Sequence, residues 1–402
     1  MVRPTLWIAA LLGAVLCGCD ASGSTPRADL HAPPSRTEAR VHDDAPGAQP
    51  DLRGRQAPPP AAGARRVTTV TRFYDPAYLG PQADRRTVEV YSPPTPGPHP
   101  CVVYVHGGGL TRVGPNRGEP FATALSAAGI AVALVGYRLS DTDLRSERPD
   151  RIRHPDHVRD VAAATRYLRD HAGELGLDSS RFALMGHSAG ALLTGVLMAN
   201  PLYMREVGLR TTDWTAGVLI DSEAYRMDDI IQRSGTAPLP KASVYGVRRS
   251  YERPLPEAMP TGFSDPDETG IPDVPHYDSS DRLPTFSPTP ILYPALLSGP
   301  GEPLVLGEPH PHNVSAYHDV VAGSPVAPML FVYGTAPGRA EAAHQMVHAV
   351  RAHGGWARTL EVDLNHGRLN WYFGRPDLGQ EAKRYTRSTT NWLRHQFGMP
   401  PI

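Results

Sequence analysis

Cysteine is scarce in this chain: three residues in 402, two of them at positions 17 and 19 and the third, Cys101, far from both. That set cannot supply a disulfide framework, so stability has to come from burial of a core. An excess of charge of either sign is also missing. Lys+Arg 40 against Asp+Glu 41 leave a net charge of -1, which offers no basic field for nucleic acid and no acidic surplus for a solvating tail. No internal repeat is present, and its absence excludes solenoid and propeller architectures. Proline, by contrast, is abundant. The chain carries 43, roughly twice average usage, and so predicts long irregular segments attached to a globular core.

Those segments can be located. "MVRPTLWIAALLGAVLCGCD" (1–20) has one early cation, an apolar run too short for a comfortable transmembrane helix, and small residues before a cysteine, the pattern of an export signal. Its end, Leu16-Cys17-Gly18-Cys19, resembles the bacterial lipobox. That resemblance implies that residues 1–18 are removed, that Cys19 is lipidated, and that the protein is held on the outer face of the bacterial cell membrane or facing the periplasm. Residues 19–66 are Pro-rich, contain no aromatic residue and hold almost no branched apolar residue; they read as a disordered tether. Cys101 opens an apolar run and reads as a small buried hydrophobe.

From residue 67 onward strand and helix signals alternate. Strands are expected at 85–94, 101–109, 130–139, 181–186, 214–221, 327–334 and 357–364, and helices at 121–129, 339–355 and 380–397. A further helix is expected to open at Asp160, with Val161, Ala164, Leu168 and Ala172 on one face. The order predicts an α/β domain over 67–402 with a mostly parallel sheet and helices on both faces. Between about 232 and 314 the pattern gives way to prolines and scattered aromatics. An irregular stretch of that length reads as a lid-like insertion over a binding pocket.

Two loops concentrate the chemistry. "MGHSAGALLTG" (185–195) is Gly-x-Ser-x-Gly between a strand and a helix, a turn that exposes the Ser188 hydroxyl above the sheet. Gly186 and Gly190 are small because a side chain there would collide with the backbone around the bend. The second loop, "HGGG" (106–109), follows the strand "VVYV". Amides of a glycine run can closely approach a carbonyl oxygen that gains negative charge, so Gly108 and Gly109 are candidate oxyanion donors, with Ala189 as a third.

"HGGG", "GYRLS" (136–140), Asp160 at a helix start and "GHSAG", in that order, resemble the α/β-hydrolase fold, in particular the hormone-sensitive-lipase-like and feruloyl/acetylxylan-esterase-like carboxylesterases. The resemblance covers about 85–231 and 315–397. It implies an eight-stranded, mostly parallel sheet and hydrolysis of small or medium acyl esters through an acyl-enzyme, with no cofactor. It also implies a histidine after the last strand, where His366 stands in "DLNHGRLNWYFG", able to take the Ser188 proton. His106 is then structural in the oxyanion loop, and His187 lines the serine turn.

The acid departs from the pattern. Its usual slot, three residues past Gly334 in "FVYGTAPGRAE", holds Pro337, which can neither accept a proton nor hydrogen-bond an imidazole. A substitute must lie at the carboxyl end of a strand. Asp319 precedes its strand, and Asp363 is too close to His366 along the chain. Asp221 ends a central strand in "GVLIDSEAY", which looks like the local arrangement of pancreatic-type lipases, and it is preferred over Glu223, Glu341 and a dyad with no acid.

The acid-rich 265–281 lacks the acidic twelfth position of a calcium loop, and His310 and His312 sit in a Pro-rich loop, so neither patch reads as a metal site. The sequence thus leads to the expectation of a serine esterase with a small-molecule ester substrate, a lipid anchor in the membrane and no nucleic-acid partner. Two alternatives stay open: a peptidase or amidase with the same groups, and a surface binding protein on an inactive hydrolase scaffold.

Overall fold

A computed structural model describes residues 68–140, 150, 152–227, 314–336 and 338–402. The export signal with Cys17 and Cys19, the tether, Pro337 and nearly all of the 232–314 insertion lie outside the described residues.

Eight strands form one sheet. In chain order they are β1 (Thr68–Phe73), β2 (Thr87–Ser92), β3 (His99–Val105), β4 (Ala131–Val135), β5 (Leu177–His187), β6 (Ala216–Ile220), β7 (Met329–Tyr333) and β8 (Ala357–Glu361). Their order across the sheet is β1-β2-β4-β3-β5-β6-β7-β8. β1 pairs antiparallel with β2, and β2 antiparallel with β4. Every later pairing, from β4–β3 through β7–β8, is parallel.

The parallel strands β3, β4, β6 and β7 are short, fully buried runs because both of their faces are covered. Along β3, Cys101, Val103 and Val105 belong to one core, while Val102 and Tyr104 belong to the other. The first core is packed by α2 (Asp156–Asp170), α3 (Ala189–Ala199) and α6 (Arg339–Ala352). The second is packed by α1 (Glu119–Ala127) and α8 (Gln380–Gln396). The other α-helices among the described residues are shorter: α4 (Pro201–Glu206), α5 (Ala316–Val321) and α7 (His366–Trp371). Cys101 is fully buried and unpaired, and burial pushes its thiol up to about 12.

Three expectations need correction. The edge strand β1 was not anticipated, because "TTVTRF" is short, with exposed Phe73 and little apolar alternation. Asp160 does not open its helix. α2 begins at Asp156, and Asp160 is buried one turn in, accepting from Arg138 Nε at 2.8 Å and facing Arg86 Nε at 3.3 Å. Arg86 lies just before β2 and Arg138 in the segment after β4, so Asp160 serves a long-range ion-pair set rather than the start of its helix. Finally, β8 stops at Glu361, and His366 is the first residue of α7 rather than part of a plain loop.

Candidate active site

Ser188 and Asp221 follow the carboxyl ends of neighbouring parallel strands. His187 and Ile220 are register partners, and the Ser188 amide donates to the Ile220 carbonyl at 2.8 Å. One residue beyond that pair the chain bends sharply on both strands, with φ 57° at Ser188 and 54° at Asp221. Side chains with a Cβ rarely adopt this region, and holding one there costs about 1–3 kcal/mol. Close packing enforces the bend at Ser188. A Cβ on Gly190 would lie 2.0 Å from the Val105 carbonyl oxygen, and one on Gly186 would lie 2.3 Å from the Gly190 oxygen, so α3 can begin directly against β3 only with glycine at both positions.

His366 reaches the same edge from α7. Its Nε2 stands 2.9 Å from Ser188 Oγ, and its Nδ1 stands 2.5 Å from Asp221 Oδ2. With Nδ1–H donating to the carboxylate, Nε2 is left as the acceptor of the serine proton. Asn365 caps α7 by accepting from the Arg368 amide at 2.9 Å. The buried His187 ring donates from Nε2 to the His366 carbonyl at 3.0 Å and packs against the His366 ring at 4.6 Å. Burial, then the neighbouring His366, pull the His187 pKa down to about 3, and so it stays neutral.

Asp221 is fully buried. Its amide donates to the Val332 carbonyl at 2.7 Å, and its Oδ1 accepts from the Gly334 amide at 2.8 Å. Gly334, the residue from which the usual acid slot is counted, therefore anchors an acid supplied by the preceding strand. Burial by itself would raise the Asp221 carboxyl, but the bond to His366, the Arg339 and His366 charges and the Gly334 amide together outweigh it. The pKa lies below the ordinary carboxylate value.

The other carboxylates are engaged elsewhere. Glu223 is buried and ion-paired to the Nη1 of Arg339, itself buried, whose Nε lies 4.0 Å from Asp221 Oδ2. Glu341 stands in the first turn of α6, and Asp319 is buried in α5. The Asp363 amide donates to Glu381 at 2.9 Å. Arg339 was not anticipated, since an arginine at the start of a helix ordinarily reads as solvated.

The glycine loop lies against the serine turn. A Cβ on Gly107 would come within 3.0 Å of Ser188 Cβ and 2.7 Å of the His187 carbonyl. Gly108 and Gly109 have φ 101° and 62°. Among the described residues, the amides of Gly108, Gly109 and Ala189 donate to no hydrogen-bond acceptor. His106 sits behind this loop. Its Nδ1 donates to the Gly107 carbonyl at 2.8 Å and its ring stacks on Tyr137 at 4.2 Å, while the Tyr137 hydroxyl donates to the His106 carbonyl at 2.8 Å.

The fold that carries these residues is shared with a solved structure. The "Bacterial Heroin Esterase" structure superposes with a TM-score of 0.51 over 82% of this chain and 84% of its own, at 20% sequence identity. This is the α/β-hydrolase fold. Within it, the BD-FAE family model matches residues 88–214, from β2 to just before β6. Carboxylesterase NlhH of Mycobacterium tuberculosis (strain CDC 1551 / Oshkosh) is 38% identical over 112 residues, 27% of this hydrolase-fold chain and 32% of that protein. Ethyl acetate hydrolase of Pseudomonas putida is 31% identical over 124 residues, 30% of this chain and 36% of that protein. The chain thus spans about a third of the length of these relatives.

Proposed function

We propose that the protein is a serine carboxylesterase. The observation that carries this reading is the continuous hydrogen-bonded line from Ser188 Oγ through the His366 ring to Asp221 Oδ2, at 2.9 and 2.5 Å. Ser188 attacks the ester carbonyl as its proton passes to His366 Nε2. Asp221 holds the ring in the required tautomer and stabilises the imidazolium. The oxyanion is received by the amides of Gly108, Gly109 and Ala189, which have no competing acceptor among the described residues. His366 then protonates the departing alcohol, and a water activated by the same nitrogen releases the acid.

Matches to proteins named carboxylesterase and ethyl acetate hydrolase support carboxylic esters with short acyl groups as substrates. A panel of p-nitrophenyl esters from acetate to decanoate, run beside acetyl p-nitroanilide, tests this reading. Turnover that is highest for the short esters and at least about 100-fold lower for the anilide supports it. Comparable anilide turnover would favour a peptidase or amidase, and no turnover with no labelling of Ser188 would favour a binding protein.

The N-terminal signal supports export and lipid anchoring through Cys19. Incorporation of labelled palmitate in a bacterial host, abolished by Cys19→Ala, tests that assignment. Palmitate retained in the variant would refute it.

A further inference from the structure

We propose that Arg339 is a positioning residue: a buried cation that fixes the Asp221–Glu223 pair so that only Asp221 is presented to His366. This rests on the reading of Ser188, His366 and Asp221 given above. Arg339 is the first residue of α6 and is 5% exposed, yet its guanidinium faces two carboxylates that are themselves 0% and 2% exposed. Nη1 is ion-paired to Glu223, and Nε stands 4.0 Å from Asp221 Oδ2, the same oxygen that meets His366 Nδ1.

Two buried carboxylates two residues apart cannot both stay ionised without a counter-charge. Arg339 supplies that charge and draws Glu223 towards itself. Asp221 is left with one oxygen on the Gly334 amide and the other on the imidazole. In the chain the cation lies two residues beyond Pro337. The loop that gives up the acid at its usual position thus contributes the partner of the relocated one.

Among the described residues, the ionisable groups acting on Asp221 or acted on by it are His366, His187, Arg339 and the phenols of Tyr225 and Tyr385, and Glu223 joins this set through its ion pair with Arg339. Arg339 and Glu223 are members of this set, and of opposite sign, that neither touch Ser188 nor form the hydrogen-bonded line. Removing a cation from such a cluster makes every site bind its proton more tightly, and removing an anion does the reverse. The acid limb of kcat/KM, which reports protonation of the free enzyme's base unit, therefore moves in a direction set by the sign of the charge removed.

The test is the pH dependence of kcat/KM for p-nitrophenyl acetate in the full chain, with Ser188 labelling by a fluorophosphonate as a parallel readout. Arg339→Met is expected to move the acid limb up by about one pH unit and Glu223→Gln to move it down by a similar amount. The double variant is expected to return near the starting value, and Arg339→Lys to leave the limb in place. Lower activity with unmoved limbs, or shifts of the same sign in both single variants, would overturn the proposal. If Arg339→Met does not fold, Glu223→Gln decides: a downward shift supports the role and an unmoved limb refutes it. A wild-type protein that is not acylated at Ser188 refutes the underlying site reading instead, whereas normal labelling with unmoved limbs refutes only the role of Arg339.

Discussion

Ser188 and Asp221 are structural counterparts on adjacent strands: each lies one residue past the paired His187 and Ile220, and each bends into positive φ, 57° and 54°. The equivalence explains how one imidazole reaches both. Two parallel strands end level, both chains turn in the same sense, and the side chains rise from the same edge, where α7 delivers His366.

The backbone strain at Ser188 predicts a stability difference that can be measured. Ser188→Gly removes the Cβ from a positive-φ position, whereas Ser188→Ala keeps it, so the glycine variant is expected to be more stable than the alanine variant by about 1 kcal/mol. Both are inactive. Urea midpoints of the two variants check this, and a glycine variant less stable than the alanine one would show that the turn is unstrained.

Replacing Asp221 separates the acid from its neighbours. Asp221→Asn is expected to lower kcat by on the order of 10³–10⁴-fold with little loss of folding, because the amide can still accept from Gly334. Glu341→Gln is expected to leave kcat within a few-fold. A comparable loss for Glu341→Gln, with Asp221→Asn active, would move the acid to α6.

Gly190 tests the packing that forms the serine turn. A methyl group there would overlap the carbonyl oxygens of Val105 and His106 at 2.0 and 2.7 Å. Gly190→Ala is therefore expected to destabilise the fold by about 3 kcal/mol and to abolish esterase activity, as read from a denaturation midpoint and p-nitrophenyl acetate turnover.

Buried histidines set the acid limit of stability. His106, His157 and His187 are buried, and burial is the first cause that holds them neutral, with pKa values of about 4, about 3 and about 3. Between the ordinary histidine value of about 6.5 and about 4, the unfolded chain binds these protons and the folded chain does not, so stability falls as pH falls through that window. Each histidine contributes up to ~1.4 kcal/mol per pH unit. Urea midpoints at pH 7, 6 and 5 should decline, and His157→Gln should reduce the slope by about one proton. The depressed Asp221 carboxyl adds a further loss only at lower pH, as it becomes protonated.

How much of this was legible depended on whether the signal was local. Ser188 and the glycines at 107–109 are read from contiguous motifs, because a turn that tight constrains its immediate neighbours. His366 could be placed because the family resemblance implies a histidine after the last strand, where it stands. Asp221 could only be ranked among several carboxylates. Which strand end faces an imidazole is fixed by pairings such as β5–β6 and by the Gly334 amide, which lies 113 residues away along the chain. The role of Asp160 is hidden in the sequence for the same reason, since its partners Arg86 and Arg138 lie outside α2 and far along the chain. Arg339 left no trace because a buried guanidinium at a helix start is recognised only through what it faces.

Ser188, His366 and Asp221 are expected to act as one unit. The most direct measurement is the rate and site of fluorophosphonate labelling, followed by peptide mass analysis. A single adduct on Ser188 is expected in the wild type, none in Ser188→Ala, and labelling slowed by roughly 10³-fold or more in both His366→Ala and Asp221→Asn. An adduct on a different residue, or wild-type labelling rates in either variant, would contradict it.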